Sequence, residues 1–325
     1  MKLALKDIQA PVIHEMREFE KTFRDSMKTK VFLLDKIMSY IVKRKGKQMR
    51  PLIVFLSAGA VGKITDTTYR GAAMVELLHT GTLVHDDVVD DSAYRRGFFS
   101  VNALWKNKIA VLVGDFLFSR GLLLSLEHRE YFLLELMSKA IKDMSEGELL
   151  QMEKARRLDI TEDVYYDIIR QKTASLIASC CAVGASSVTQ DADTIEKMRL
   201  FGEKVGMAFQ IKDDLFDYGT DDIIGKPLGI DIKEKKMTLP LIYALQQATW
   251  AEKRSTIFKI KNQSHKPRKV QEVIQFVRDK GGLQYAEKAM HRFYQEALEI
   301  HSTLPESNYA TSLKHLVQFT IERTK

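Results

Sequence analysis

The chain has 325 residues, 45% of them hydrophobic, with 17 Gly, 6 Pro and 2 Cys. That length supports a large core without disulfides, and the adjacent Cys180 and Cys181 lie in an apolar run where they read as buried thiols, which excludes a disulfide-built scaffold. The formal charge is +7, and the densest basic stretch, Lys253 to Lys269, lacks aromatic interleaving and any nucleic-acid motif, so it reads as a solvated face and no nucleic-acid partner is expected.

In chain order, the first residues carry charges every few positions, which does not fit a secretion signal. No segment reaches the roughly 18 apolar residues of a membrane span, so a cytoplasmic protein is expected. Periodicity near 3.6 continues to the end, with no Asn-Gly or Asp-Gly hairpin pair, and predicts an all-α fold. Helices are predicted over 8–27, 31–44, 51–62, 66–91, 101–124, 129–147, 161–182, 192–218, 237–248, 268–279, 281–302 and 306–323, with Thr161 as an N-cap. No repeat and no Pro/Ser-rich linker divides the chain, so residues 1–325 are expected to form a single domain, one large helical bundle around a central cavity.

Two aspartate clusters of the same spacing stand out, Asp86-Asp87-Val88-Val89-Asp90 and Asp213-Asp214-Leu215-Phe216-Asp217. Positions i and i+4 share a helix face, so Asp86 with Asp90, and Asp213 with Asp217, each form a pair of carboxylates with a third alongside. A single cluster of this kind is more often a solvated helix end. Here both follow largely apolar approaches, residues 75–85 and 205–212, as helices entering a core would. Converging buried carboxylates require cations, and hard oxygen donors select Mg²⁺ or Ca²⁺, which complete their shells with water and substrate phosphate. Each cluster is followed by a basic loop: Arg95-Arg96-Gly97 after the first, and Lys226, Lys233, Lys235 and Lys236 after the second. That order suits a diphosphate held between metal ions and cationic side chains, although charge alternation alone also fits two ordinary polar loops.

These residues also carry a family resemblance, spanning about 40–250. Gly46-Lys47-Gln48-Met49-Arg50-Pro51 resembles the GGKRxRP segment of the trans-isoprenyl diphosphate synthases, with Lys45 and Gln48 replacing its first glycine and first arginine. ELLHTGTLVHDDVVDDSAYRRG (76–97) is similar to their first aspartate-rich motif. Lys172-Thr173, Phe209-Gln210-Ile211-Lys212-Asp213-Asp214 and GKPLGIDIKEKKMTLP (225–240) follow in the family's order, with Lys235 where a glycine is usual; the change is expected to alter loop flexibility more than chemistry.

The resemblance implies an enzyme, a prenyltransferase that condenses isopentenyl diphosphate head to tail onto an allylic diphosphate. It implies roughly two or three Mg²⁺ ions per site, held by Asp86, Asp87, Asp90, Asp213, Asp214 and Asp217. Arg95, Lys172, Thr173, Gln210, Lys226 and Lys236 would meet the allylic substrate, and Lys47, Arg50, His79 and Arg96 isopentenyl diphosphate; His79 alone would read as a core histidine. Gly81 and Thr82, one turn before the first cluster, carry no ring where the family's bulky residues stop chain growth. They imply a long-chain product of about thirty to fifty carbons, the range of quinone side chains. The tunnel floor would then lie near Val113, Phe116, Leu117 and Phe118, residues equally explained by core packing. A farnesyl or geranylgeranyl diphosphate synthase is the alternative product reading. A silent regulatory subunit fits poorly with two complete clusters, and a terpene cyclase leaves Lys47, Arg50 and His79 without a task. A homodimer, and transient contact with a membrane surface during product release, are also expected from the resemblance.

Overall fold

The structure, a computed structural model, describes residues 4–44, 46–95, 97–219 and 228–322. As the periodicity predicts, the fold is all-α, with helices joined by short turns. The chain divides into two compact units.

The first unit comprises Met1–Ser138, Ser179–Arg199 and Leu304–Leu313. Its opening helix is interrupted at Pro11, giving α1 (Leu5–Gln9), a 3₁₀ turn (Ala10–Val12) and α2 (Ile13–Ser26). Met16, Phe19 and Phe23 form the buried stripe of α2, and the Phe19 ring meets Phe55 edge-on at 6.1 Å. After α3 (Phe32–Lys43), α4 (Met49–Val61) is buried without a break from Pro51 to Ala58. Beside it runs α5 (Asp66–Val89), exposed at Asp66, buried from Gly71 to His79 and reaching the surface again towards its C-terminus, where the first aspartate cluster lies.

The basic loop after this cluster is more ordered than its sequence suggests. Tyr94–Arg95 (β1) pairs antiparallel with Phe98–Phe99 (β2) around Gly97, whose φ of +79° suits a residue without Cβ. Tyr40 of α3 donates its hydroxyl to the Phe99 carbonyl at 2.6 Å, and the Arg44 guanidinium lies 3.8 Å from the Phe98 ring centroid.

The next helix, α6 (Val101–Glu127), corrects one expectation. By length and composition it could cross a membrane, with a mean hydropathy of 1.8 over its most apolar 18-residue window. A search for an unbroken apolar run passes over it because Asp115 and Arg120 interrupt the sequence. Only 33% of that window is buried, and Leu104, Val111, Leu112, Leu122, Leu123 and Leu126 are exposed.

The second unit comprises Lys139–Ala178, Leu200–Thr303 and Lys314–Lys325. It holds the C-terminal part of α7 (Tyr131–Arg157), α8 (Glu162–Ile169), a π turn (Arg170–Ala174), the first residues of α9 (Ser175–Ser186) and most of α10 (Ala192–Phe216). Beyond these lie α11 (Ile230–Lys233), α12 (Leu239–Gln246), α13 (Trp250–Gln263), α14 (Pro267–Asp279), α15 (Gly282–His301) and the end of α16 (Asn308–Glu322). Ile168, Ile211, Tyr218, Leu239, Ile274 and Met290 belong to its core.

Two differences from the predicted elements have local causes. Helix α13 escapes the periodicity because only Thr256 and Ile260 are buried; its signal is the Thr249/Glu252 capping box, in which the Thr249 backbone N–H donates to the Glu252 carboxylate at 2.8 Å. The single helix expected over 161–182 is divided by the π turn that carries Lys172 and Thr173. Two glycines let neighbouring helices press on that turn. A Cβ at Gly147 of α7 would lie 2.9 Å from the Lys172 backbone nitrogen, and one at Gly206 of α10 would lie 2.5 Å from the Ala174 Cα. Backbone atoms cannot rotate away as a side chain could, so Gly206→Ala should destabilise the protein by about 1–3 kcal/mol in urea unfolding. An unchanged midpoint would show that this close approach does not exist.

Candidate active site

Adjacent residues of a helix point about 100° apart, so a Asp-Asp pair cannot aim both carboxylates the same way. In the first cluster Asp86 is exposed and Asp87 is 2% exposed; Asp90, also exposed, caps the C-terminus of α5. Arg95 of the hairpin donates its Nε to Asp87 Oδ1 at 2.6 Å, and Asn102 Nδ2 donates to the Asp87 carbonyl at 3.0 Å. Burial raises the Asp87 carboxyl above its ordinary range, the Arg95 guanidinium opposes that rise, and Asp90 adds to it. Arg95, assigned to substrate by resemblance, thus already has a protein partner. A groove lined by Glu76, Thr80, Leu83, Asp87 and Arg95, and on its far side by Tyr40, Arg44 and Phe98, runs along this face of α5.

The other expected residues of this unit are spread more widely. His79 is buried within α5, and Arg50 is half-buried in the first turn of α4; both interact with neighbours. Lys47 is exposed just before that turn, after which Gln48 takes a left-handed φ of +51° as the N-cap. Gly81 faces α6, where an added Cβ would meet the Phe118 ring at 3.0 Å. The Thr82 hydroxyl donates to the His79 carbonyl of its own helix at 2.8 Å. Val113 and Leu117 are buried, as core packing requires. Arg96 and Lys226 lie outside the described residues.

The second unit gathers its expected residues more tightly. Lys172, Thr173, Gln210, Asp214 and Lys236 line one pocket, together with Tyr165 and Asp231, which sequence reasoning did not single out. Asp214 is 6% exposed and accepts from Tyr165 Oη at 2.7 Å on Oδ2 and from Gln210 Nε2 at 2.8 Å on Oδ1. Thr173 Oγ1 donates to Gln210 Oε1 at 2.7 Å, which fixes the orientation of that amide. Lys172, half-buried, pairs with Glu148, and Lys236 pairs with Glu234 at 2.6 Å.

Asp217 departs from the expected i, i+4 pair with Asp213. Helix α10 ends at Phe216, and the Asp217 carboxylate instead accepts from the backbone N–H groups of Ile230 at 2.8 Å and Asp231 at 3.1 Å, fastening the start of α11. Lys235, at the family's usual glycine, has a left-handed φ of +60°. That conformation disfavours a side chain by about 1–2 kcal/mol, which is the physical reason for a glycine there.

This pocket is rich in negative charge. Burial, then Asp231 and Asp213, push the Asp214 carboxyl up to about 7 against the opposing hydrogen bonds of Tyr165 and Gln210. Burial and Asp217 likewise raise Asp231 to about 6, with Lys236 opposing. Burial favours the neutral form of Lys236, but Glu234 and Asp231 outweigh it and raise its pKa. Among the described residues no group of three acidic, histidine or cysteine side chains converges as a finished metal-ligand set. The donor chemistry nevertheless fits a hard divalent cation: the donors are all oxygen, and their mutual repulsion is the quantity such an ion would relieve. The signals that could have found the missed residues were present. Asp231 lies inside the matched 225–240 segment, and Tyr165 precedes Lys172 by about two helical turns.

Comparison with known proteins agrees with these motifs. Residues 31–277 match the polyprenyl synthetase family. The chain is 37% identical to the all-trans-nonaprenyl-diphosphate synthase (geranyl-diphosphate specific) of Rhodobacter capsulatus, over 98% of each chain. It is 32% identical to the geranylgeranyl diphosphate synthase of Saccharolobus solfataricus, over 93% of this chain and 94% of that one. Its fold superposes with a TM-score of 0.89 on a polyprenyl synthase from Caulobacter crescentus CB15 complexed with calcium and isoprenyl diphosphate, at 30% identity over 100% of this chain and 99% of that one. The chain therefore belongs to the polyprenyl synthetase family and is a prenyltransferase, a trans-prenyl diphosphate synthase.

Proposed function

We propose that this enzyme uses Mg²⁺ to extend an allylic diphosphate with isopentenyl diphosphate until it releases a long all-trans polyprenyl diphosphate of about thirty to fifty carbons, suited to quinone side chains. The observation that carries the chain-length reading is the absence of a ring at Gly81 and Thr82, and the nonaprenyl relative supports it. The geranylgeranyl relative favours a shorter product as the second reading.

In this proposal Asp86, Asp87 and Asp90, and separately Asp213 and Asp214, offer carboxylate oxygens to Mg²⁺, while Asp217 orders α11 beside them. The bound ion would neutralise charge developing on the departing diphosphate. Lys172 and Lys236 bind its oxygens as point charges, exchanging their bonds to Glu148 and Glu234 for the phosphate, and Thr173 and Gln210 orient it. Arg50, Lys47 and His79 hold isopentenyl diphosphate, whose double bond attacks the allylic cation left by ionisation. The released diphosphate takes the proton whose loss restores an allylic product, a task the family's motifs assign to no further carboxylate or histidine of this chain.

The test is incubation of purified chain with labelled isopentenyl diphosphate, Mg²⁺ and each short allylic primer, followed by chromatography of the dephosphorylated products. Products in the thirty-to-fifty-carbon range are expected, and Asp86→Ala and Asp213→Ala should each lose several orders of magnitude in turnover while remaining folded. A fifteen-carbon product alone, under excess isopentenyl diphosphate, would refute the long-chain reading.

The metal-free pocket also predicts a pH signature. With Asp214 at about 7 in the fold against an ordinary 3.8, the folded chain holds a proton that the unfolded chain has released. This contribution to stability is complete below about pH 4 and lost as pH rises through about 7. In chelator, Asp214→Asn should therefore gain on wild type by up to about 4 kcal/mol between those limits, read by urea unfolding. A pH-independent difference would place that carboxyl in contact with water.

We also propose a cytoplasmic homodimer in which the exposed leucines of α6 are covered by the partner, with brief contact at a membrane surface when product leaves. Sedimentation velocity at micromolar concentration should give a dimer, and Leu112→Glu with Leu123→Glu should give monomer. A wild-type monomer would sink the assembly.

A further inference from the structure

Resting on the reading of the second aspartate cluster as a divalent-cation site, we propose that Tyr165 is a positioning residue, whose hydroxyl sets the plane of the Asp214 carboxylate so that the ion meets it already oriented. Three observations lead here. Tyr165 is 3% exposed, and its hydroxyl donates to Asp214 Oδ2 at 2.7 Å from α8, an element separate from the one that carries Asp214. The other carboxylate oxygen is held by Gln210 from one turn earlier on the same helix, so this contact reaches the Lys172 turn only through a second bond, whereas Tyr165 bonds Asp214 directly from α8. Gln210 is itself fixed by Thr173. A carboxylate turns easily about its terminal torsion, and donors on both of its oxygens, arriving from two helices, restrict that freedom. Each oxygen keeps a second lone pair for a cation.

Such supporting bonds typically change metal affinity by about 10–100-fold. The experiment uses the full chain and two readouts. Free Mn²⁺ is followed by electron paramagnetic resonance in the presence of inorganic pyrophosphate, without turnover, and the Mg²⁺ dependence of condensation is measured separately. Tyr165→Phe should weaken Mn²⁺ binding about tenfold or more and move Mg²⁺ activation to correspondingly higher concentration, with kcat at saturating Mg²⁺ much less affected. Tyr166→Phe, the same change on the adjacent residue, should match wild type. Because the tyrosine acts through Asp214, Tyr165→Phe should add little further loss in an Asp214→Asn background. Unchanged Mn²⁺ binding in Tyr165→Phe, an equal loss in Tyr166→Phe, or full additivity with Asp214→Asn would each overturn the proposal. Failure of wild type to bind Mn²⁺ would instead remove the cation site itself, and the role of Tyr165 with it.

Discussion

The constraint on which the site depends is the burial of a carboxylate beside a more accessible one on the same helix. Taking an ionised aspartate out of water is tolerable only when donors replace the lost hydration. Both clusters meet this condition at the second residue of their Asp-Asp pair, Asp87 through Arg95 and Asp214 through Tyr165 and Gln210. The two solutions differ in charge. Burial raises both carboxyls; at Asp87 a guanidinium opposes the rise, whereas Asp214 has only neutral donors to oppose it and further carboxylates nearby, and it is pushed up to about 7. Carboxylates that raise one another in a polar pocket are a ready receptor for a cation.

Much of the fold was legible because helix periodicity survives wherever a helix buries one stripe. It was legible in α2, with Met16, Phe19 and Phe23 inward, and in α14, with Val270, Val273, Ile274 and Val277 inward. It failed where that physical basis is missing. Helix α13 buries too little to leave a stripe; α6, expected over 101–124 and found over Val101–Glu127, was legible as a helix although its apolar side is largely exposed. The paired strands at Tyr94–Phe99 are too short for alternation to register.

Of the site, the carboxylates and their basic neighbours were visible as charges in apolar surroundings. What the sequence did not display was how each charge is occupied. Arg95 and Lys172 look like ligands for phosphate, yet each already pairs with an acidic side chain, so a phosphate would have to compete for them. Asp217 looks like the third member of an acidic comb, but the helix ends one residue before it and its oxygens fasten α11. Tyr165 carries no charge, and its spacing from Lys172 suggests a neighbour but not a partner; the hydrogen bond to Asp214 is what ties it to the cluster.

The π turn at Arg170–Ala174 has a consequence for register. A wheel projected unbroken from Glu162 to Ser186 assumes uniform winding, whereas one wide turn offsets everything downstream by about 100°, the angle of a single α-helical residue. Shortening this segment by one residue could restore regular winding and leave the apolar faces on both sides matched. The Thr173 hydroxyl would then be swung away from Gln210 and the Lys172 ammonium away from Glu148, and an intact helix would have lost the edge that lines the pocket.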